Sequence, residues 1–356
     1  MERRIAVAMS GGVDSSVAAW LLKEAGHRLT GVTLKLFDRG EDGPGDDVED
    51  ARGVARRLGI PHYVFDLSQC FREQVMDRFA AAYEAGRTPN PCVDCNRHIK
   101  FQALLRRAGE LGCGAVATGH YARVEEDRGS GRLLLKKALH LEKDQSYVLY
   151  ALSQEQLSAS LFPLGGMSKE EVRAAAGEQG FVNARKRESQ DICFVPDGDY
   201  AAFLRRYRGR EYPPGPFLDL EGNVLGRHSG IVGYTVGQRR GLGVSSSRGR
   251  LYVQRVCPRE NAVVLGDSGS LMSRVVLARE LNWIAVPRLD GPVRLRAKLR
   301  YRQQEQPCTA EQVEEDVLRV VFDQPQRAAA PGQALVLYDG DVVVGGGTIM
   351  EGERDA

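Results

Sequence analysis

Two short runs of this 356-residue chain hold residue types and spacings that could do chemistry. The first is Ser10-Gly11-Gly12-Val13-Asp14-Ser15-Ser16, which follows an apolar run over 5–9 and opens a helical one. Two glycines let the backbone approach a phosphate, the amides at the start of the next helix point at it, and the Ser10 and Ser15 hydroxyls add hydrogen bonds. Asp14 repels a phosphate unless a cation bridges them, so the spacing calls for a magnesium ion carried by a nucleotide. Neither the Lys-Ser/Thr of the Walker loop nor G-x-G-x-x-G is present. The second run is Thr88-Pro89-Asn90-Pro91-Cys92-Val93-Asp94-Cys95-Asn96, a proline-stiffened loop leading into a helix that begins with Arg97, His98 and Lys100. A thiol at a helix start among cations is expected to have a lowered pKa and to supply a thiolate near neutral pH, and Cys95 fits that description best. Cys-x-x-Cys alone is equally compatible with zinc, a redox dithiol or an iron–sulfur cluster. There is no second Cys-x-x-Cys; a further cysteine, Cys193, lies in the polar turn Ser189-Gln190-Asp191-Ile192-Cys193-Phe194.

The elements that must position these residues alternate. Strands are expected over 5–9, 29–37, 62–67 and 115–119, with helices over 15–25, 48–58, 70–85 and 99–111 between them. Such alternation implies a parallel sheet of α/β, Rossmann-like type, with ligands at the carboxyl ends of its strands. The acidic run 38–50 reads as a loop, 153–160 and 169–179 as helices, the latter opened by the capping box Ser168-x-x-Glu171. After Phe203 glycine-rich turns and short strands over 250–256 and 262–265 indicate a small β-rich module. Strands over 293–302, 317–322, 334–338 and 341–345 then indicate a compact barrel. The expected division is 1–203, 204–278 and 279–356. Seven scattered cysteines do not form a disulfide framework, no apolar run approaches membrane-spanning length, and the expectation is a cytoplasmic protein without a membrane partner. The net charge of +2 says nothing about nucleic acid, so a basic surface has to be local. Over 293–302 a period of two puts Arg294, Arg296, Lys298, Arg300 and Arg302 on one strand face, a pattern that suits phosphate binding and equally a solvated face.

The glycine loop resembles the pyrophosphate loop of enzymes that split ATP into AMP and pyrophosphate to adenylate an oxygen. Together with Gly-Arg-Thr-Pro-Asn-Pro at 86–91, Cys-Asn at 95–96, Ile-Lys-Phe at 99–101, Ala-Thr-Gly-His-Tyr-Ala-Arg at 117–123, Lys-Asp-Gln-Ser-Tyr at 143–147, Ser-Gln-Asp-Ile-Cys-Phe at 189–194 and Tyr-Thr-Val-Gly-Gln-Arg-Arg-Gly-Leu-Gly at 234–243, it makes nearly the whole chain similar to the tRNA-specific 2-thiouridylases. These enzymes use ATP to replace the C2 oxygen of the wobble uridine with sulfur.

The resemblance implies a pyrophosphatase-loop domain, a small central domain and a C-terminal β-barrel. It assigns Cys95 as nucleophile and Cys193 as the cysteine that takes up a persulfide. Ala8, Met9, Ser10, Gly11, Gly12, Val13, Asp14 and Ser15, with Leu34 and Gly119, would hold ATP and its Mg2+. Asn90, Pro91 and Cys92 would meet the target base, while His120, Lys143, Asp144, Gln145, Arg300, Tyr301 and Gln333 would contact tRNA. The implied partners are tRNAs of the Lys, Glu and Gln type and a sulfur-donor protein, either a sulfur relay protein or a cysteine desulfurase. Cys92 is a departure, since many relatives carry Asp there. A third thiol opens a second mechanism, in which Cys92, Cys95 and Cys193 hold a 4Fe–4S cluster with one open iron. The persulfide pair is preferred on family precedent. More distant readings are a related adenylating enzyme and a non-catalytic RNA-binding protein.

Overall fold

The computed structural model describes residues 2–37, 46–186, 192–244 and 249–350. Its amino-terminal part contains β1 (Arg4–Ala8), β2 (Arg28–Lys35), β3 (His62–Asp66) and β4 (Ala115–Ala117). After a hairpin of β5 (Ala122–Glu126) and β6 (Leu133–Lys137) comes β7 (Ser160–Leu161). The order β3-β2-β1-β4-β7 is parallel throughout. Ile5, Ala6 and Val7 are wholly buried, as a strand covered on both faces requires. Strand order reverses at β1, so the crevice beyond the ends of β1 and β4 is the place for a ligand. Residues 9–12 leave one strand and 118–121 the other.

Helix α1 (Val13–Glu24) begins directly after the glycines, and α2 (Asp46–Leu58) begins within the acidic run read as a loop. Residues 46–50 are therefore helical, and 38–45 lie outside the described residues. The helices expected over 70–85 and 99–111 are each composite. Ser68–Phe71 and Asp77–Glu84 flank a π-helical stretch Arg72–Met76, and Pro91–Asp94 and Leu104–Glu110 flank the longer π-helix Cys95–Ala103. Wide π turns occur mostly as short bulges within α-helices, frequently at functional sites.

Helix Tyr200–Arg208, which crosses residue 203, leads into β8 (Gly215–Leu218), β9 (Val224–His228), β10 (Tyr252–Cys257) and β11 (Ala262–Gly266), ordered β10-β11-β8-β9. Its Phe203 packs on Phe79 and Phe194, so one aromatic cluster joins this module to the first. The rest of the chain forms β12 (Met272–Trp283), β13 (Val293–Lys298), β14 (Gln306–Glu314), β15 (Val317–Arg327), β16 (Ala334–Asp339) and β17 (Val342–Ile349). Pairing of β12 with β17 closes the order β12-β15-β14-β13-β16-β17 into a barrel. β12 is continuous through residue 279. The strand read over 293–302 stops at Lys298: Leu295 and Ala297 face the core with Arg294 and Arg296 outward, but Leu299 is buried and residues 300–302 turn away. The β5–β6 hairpin joins this barrel sheet through the Val342–Lys136 pair. Among the described residues no helix is long and apolar enough to cross a membrane.

Candidate active site

Ala8 ends β1, and Met9 N–H still pairs with the Val32 carbonyl at 2.8 Å. The chain then folds back on the start of α1. Ser10 N–H donates to Ser15 Oγ at 3.2 Å, and the Ser15 and Ser16 hydroxyls both donate to the Gly12 carbonyl at 3.0 Å. Gly12 caps the helix without a side-chain hydrogen bond, and the first amides of a helix have no intrahelical partner and suit an anion. A Cβ at Gly119 would lie 2.7 Å from Ser15 N, so only glycine lets the turn after β4 pack against the loop. Leu34, half-buried near the end of β2, lies on the same sheet edge.

The motif gave no hint of a third wall. Lys169 Nζ reaches both Asp14 carboxylate oxygens, at 2.7 and 2.9 Å, and Tyr121 OH donates to Oδ1 at 2.7 Å. Asn183 Nδ2 donates to the Gly11 carbonyl and to Ser16 Oγ, both at 2.9 Å. Lys186 pairs with Asp47 at 2.7 Å and Asp50 at 2.5 Å at the start of α2. Sequence reasoning missed Lys169, Tyr121, Asn183 and Lys186. Lys169 is visible only as the first residue of a capped helix, and nothing local marks a lysine that the fold will bury.

In the cysteine loop, Asn90 caps the helix by accepting from Cys92 N–H at 3.2 Å, and Pro91 occupies the first helical position. Cys95 therefore lies one turn in, at the head of the π-helix. The expectation of a lowered thiol pKa is corrected: Cys95 is buried, and loss of solvation pushes its pKa up to about 12 against the opposing influence of Lys100. Cys92 is exposed, yet desolvation by surrounding protein raises its pKa as well, which describes a thiol in a concavity. Cys193 is exposed and near enough to act electrostatically on Cys95. Its neighbour Phe194 anchors it, with ring centroids 5.2 Å from Phe79 and 5.8 Å from Phe71. The 189–191 part of that motif lies outside the described residues. All seven cysteines are free, and no group of three or more His, Cys, Asp or Glu among the described residues is arranged to hold a metal ion.

The residues expected at the tRNA divide. His120 is buried, bonded to Thr118 Oγ1 at 2.7 Å and enclosed by Phe101 and Phe162; burial, then Lys100, holds its pKa far below the ordinary value, so the ring is neutral. The Asp144 carboxylate turns inward to Ala138 N–H, Ser146 N–H and Ser146 Oγ. Gln145 Oε1 accepts from Tyr121 N–H at 3.0 Å. Lys143 is half-buried in the turn Leu141–Lys143. Tyr301, 39% exposed, donates to the Asp144 carbonyl at 3.1 Å and is near enough to Cys92 for that thiol to act on its hydroxyl. Gln333 reaches the Thr88 and Pro89 carbonyls, while exposed Arg300 donates to the Arg327 carbonyl. Asn90, Pro91, Cys92, Tyr301 and Gln333 thus come together where the barrel meets the cysteine loop. On the basic strand, Arg294 forms a forked pair with Asp323, both bonds 2.8 Å, and Arg296 and Lys298 approach Glu305 at 3.8 and 3.9 Å.

Comparison with known proteins covers this whole assembly. Residues 3–197 match the family described as the tRNA methyl transferase HUP domain, 201–267 its PRC-barrel domain, and 273–349 the aminomethyltransferase beta-barrel domain. The tRNA-specific 2-thiouridylase MnmA of Clostridioides difficile strain 630 is 46% identical over 356 residues, 98% of either chain. MnmA 1 of Caldanaerobacter subterraneus subsp. tengcongensis is 48% identical over 363 residues, 99% of this chain and 100% of its own. The relative from Symbiobacterium thermophilum is 48% identical over 361 residues, 98% of this chain and 92% of its own.

Proposed function

The chain belongs to the tRNA-specific 2-thiouridylase family, and from that premise we propose that it uses ATP to adenylate the C2 oxygen of a tRNA wobble uridine and then replaces that oxygen with sulfur. One observation carries the reading: the loop for ATP and the helix for sulfur share a turn. Phe101 of the Cys95 helix packs on His120 at 5.9 Å, and the adjoining Gly119 lies against Asp14 and Ser15.

The first amides of α1 and the Ser10 hydroxyl face the polyphosphate, and Lys169, Tyr121 and Asn183 fix the loop that presents them. Asp14 is the carboxylate that would meet a nucleotide-borne Mg2+, whose charge favours departure of pyrophosphate. Adenylation makes AMP the leaving group at C2. A sulfur-donor protein leaves a persulfide on exposed Cys193. Either the terminal sulfur attacks C2 and expels AMP, after which Cys95 attacks the Cys193 sulfur of the C2–S–S–Cys193 adduct and frees 2-thiouridine, or Cys95 first attacks the inner sulfur and releases hydrosulfide, which displaces AMP; both routes leave a Cys95–Cys193 disulfide. In either route a dithiol reductant restores both thiols for the next turnover. Burial keeps the Cys95 proton in place in the RNA-free chain, so the attacking thiolate requires substrate-dependent opening of the loop. Among the described residues the three thiols are not arranged as a group that could hold a metal ion, so they do not fit a common cluster in this arrangement. No step is derived through one. Residues 1–203 would carry the chemistry, and 204–278 and 279–356 would grip the tRNA, of the Lys, Glu or Gln type.

The test is reconstitution. With ATP, Mg2+, a persulfide donor and unmodified tRNA, the protein is expected to form AMP, pyrophosphate and 2-thiouridine in equal amounts. AMP without 2-thiouridine, or neither, overturns the assignment. Replacement of Cys92 by Asp is expected to retain thiolation in air.

A further inference from the structure

We propose that Gln333 is a positioning residue, which latches the loop bearing Asn90, Pro91 and Cys92 to the barrel before any RNA binds. The role in the reaction rests on the reading that these three residues meet the target uridine; the latch itself does not.

Gln333 Nε2 lies 2.8 Å from the Thr88 carbonyl and 3.3 Å from the Pro89 carbonyl. One side-chain amide nitrogen therefore reaches two consecutive carbonyls, in a loop where Pro89 and Pro91 have no N–H and the Cys92 and Val93 N–H groups are spent on Asn90. Thr88 N–H completes the contact by donating to the Pro331 carbonyl at 2.7 Å. Between these bonds the two backbones nearly touch. Gly332 has φ +90°, and a Cβ there would lie 3.0 Å from Thr88 N and 3.1 Å from its carbonyl oxygen. On the barrel side the turn is fixed by Gly332 N–H to the Ile349 carbonyl, 2.9 Å, and Ile349 N–H to the Gln333 carbonyl, 2.7 Å. The loop's other end is confined by the central module, where a Cβ at Gly86 would meet the Val256 carbonyl at 3.0 Å. Asn90 then caps the Cys92 helix directly after the latched carbonyls. With Nε2 committed to Thr88 and Pro89, only the Oε1 acceptor of Gln333 is left to face an RNA.

The measurement is backbone amide exchange of the full-length protein without tRNA, followed by steady-state thiolation. In Gln333→Ala the amides of Thr88, Cys92 and Val93 should exchange about 10-fold faster while the β16–β17 amides keep their protection, the effect of losing two hydrogen bonds locally. Gln333→Glu keeps Oε1 and loses the donor, so it should match Ala; Gln333→Lys keeps N–H donors and should restore much of the protection. The thiolation kcat of the Ala variant should fall about 10-fold with the tRNA KM moving less than about 3-fold. Unchanged exchange in Gln333→Ala overturns the latch, as does loss of protection throughout the barrel, which would make the side chain a support of its own turn. Faster exchange with undiminished kcat overturns the positioning role. If the parent protein makes no 2-thiouridine, the function proposed above fails while the exchange result still decides the latch.

Discussion

Asp14 shows how a single residue's meaning changes when its neighbours are known. In the sequence it is a carboxylate beside a phosphate loop; in the fold a buried ammonium and a phenol hold it. Lys169→Met removes the ammonium that holds both Asp14 carboxylate oxygens and keeps the Tyr121 hydrogen bond. AMP formation is expected to fall on the order of 100-fold while tRNA affinity is unchanged. Equal loss of tRNA affinity in a gel-shift titration would point to general unfolding instead. The cysteines carry a pH prediction. A thiol whose pKa is raised stays protonated, and unreactive to alkylation, until the pH approaches that value. Cys95, pushed up to about 12, should therefore resist iodoacetamide near neutral pH and label faster at each higher pH, whereas exposed Cys193 labels first. Site-resolved mass spectrometry reads both, and a Cys95 that labels as fast as Cys193 near neutral pH contradicts the buried resting thiol.

The basic strand is where periodicity both succeeds and overreaches. Alternation places Arg294 and Arg296 outward, as period two demands, but it cannot see that Asp323 from β15 and Glu305 ahead of β14 come alongside. Replacing Arg296, Lys298 and Arg300 together by Ala should reduce the slope of log tRNA affinity against log salt by about one unit, well short of the nearly three units that three unpartnered phosphate contacts would give. An unchanged slope would make the strand a solvated face. The composite helices are an element-scale surprise of another kind. Their apolar spacing reads as α-helix, and π winding becomes visible only in backbone bonds such as Leu104 N–H to the Ile99 carbonyl.

For the molecule as a whole, the seam between the first module and the barrel is charged and buried. Lys137 of the β5–β6 hairpin pairs with Glu305 at 2.6 Å, donates to the Gly340 carbonyl at 2.7 Å and lies 4.6 Å over the Tyr338 ring. Removing one member of such a pair strands the other charge. Lys137→Met should cost about 3 kcal/mol, softened by the nearby Arg296 and Lys298, and lower the first transition in thermal unfolding. A transition at the parent temperature would show that the seam contributes nothing. The aromatic cluster of Phe79, Phe194 and Phe203 ties the central module to the Cys193 turn in the same way.

Local chemistry was legible from residue order because its causes are local. Two glycines and a serine-rich helix start after a strand give a tight turn into a helix, Ser168 and Glu171 cap a helix across three residues, and alternating apolar runs demand a parallel sheet. The ordered motifs made the family legible as well. Tertiary structure alone decided what depends on distant partners: the burial that raises the Cys95 pKa, the inward turn of Asp144 and His120, the Lys169 ammonium on Asp14 across 155 residues of chain, and the attachment of a hairpin at 122–137 to the sheet of a barrel that begins at Met272. Solvation and charge pairing are set by whatever the fold brings within a few ångströms, and no spacing along the chain encodes that.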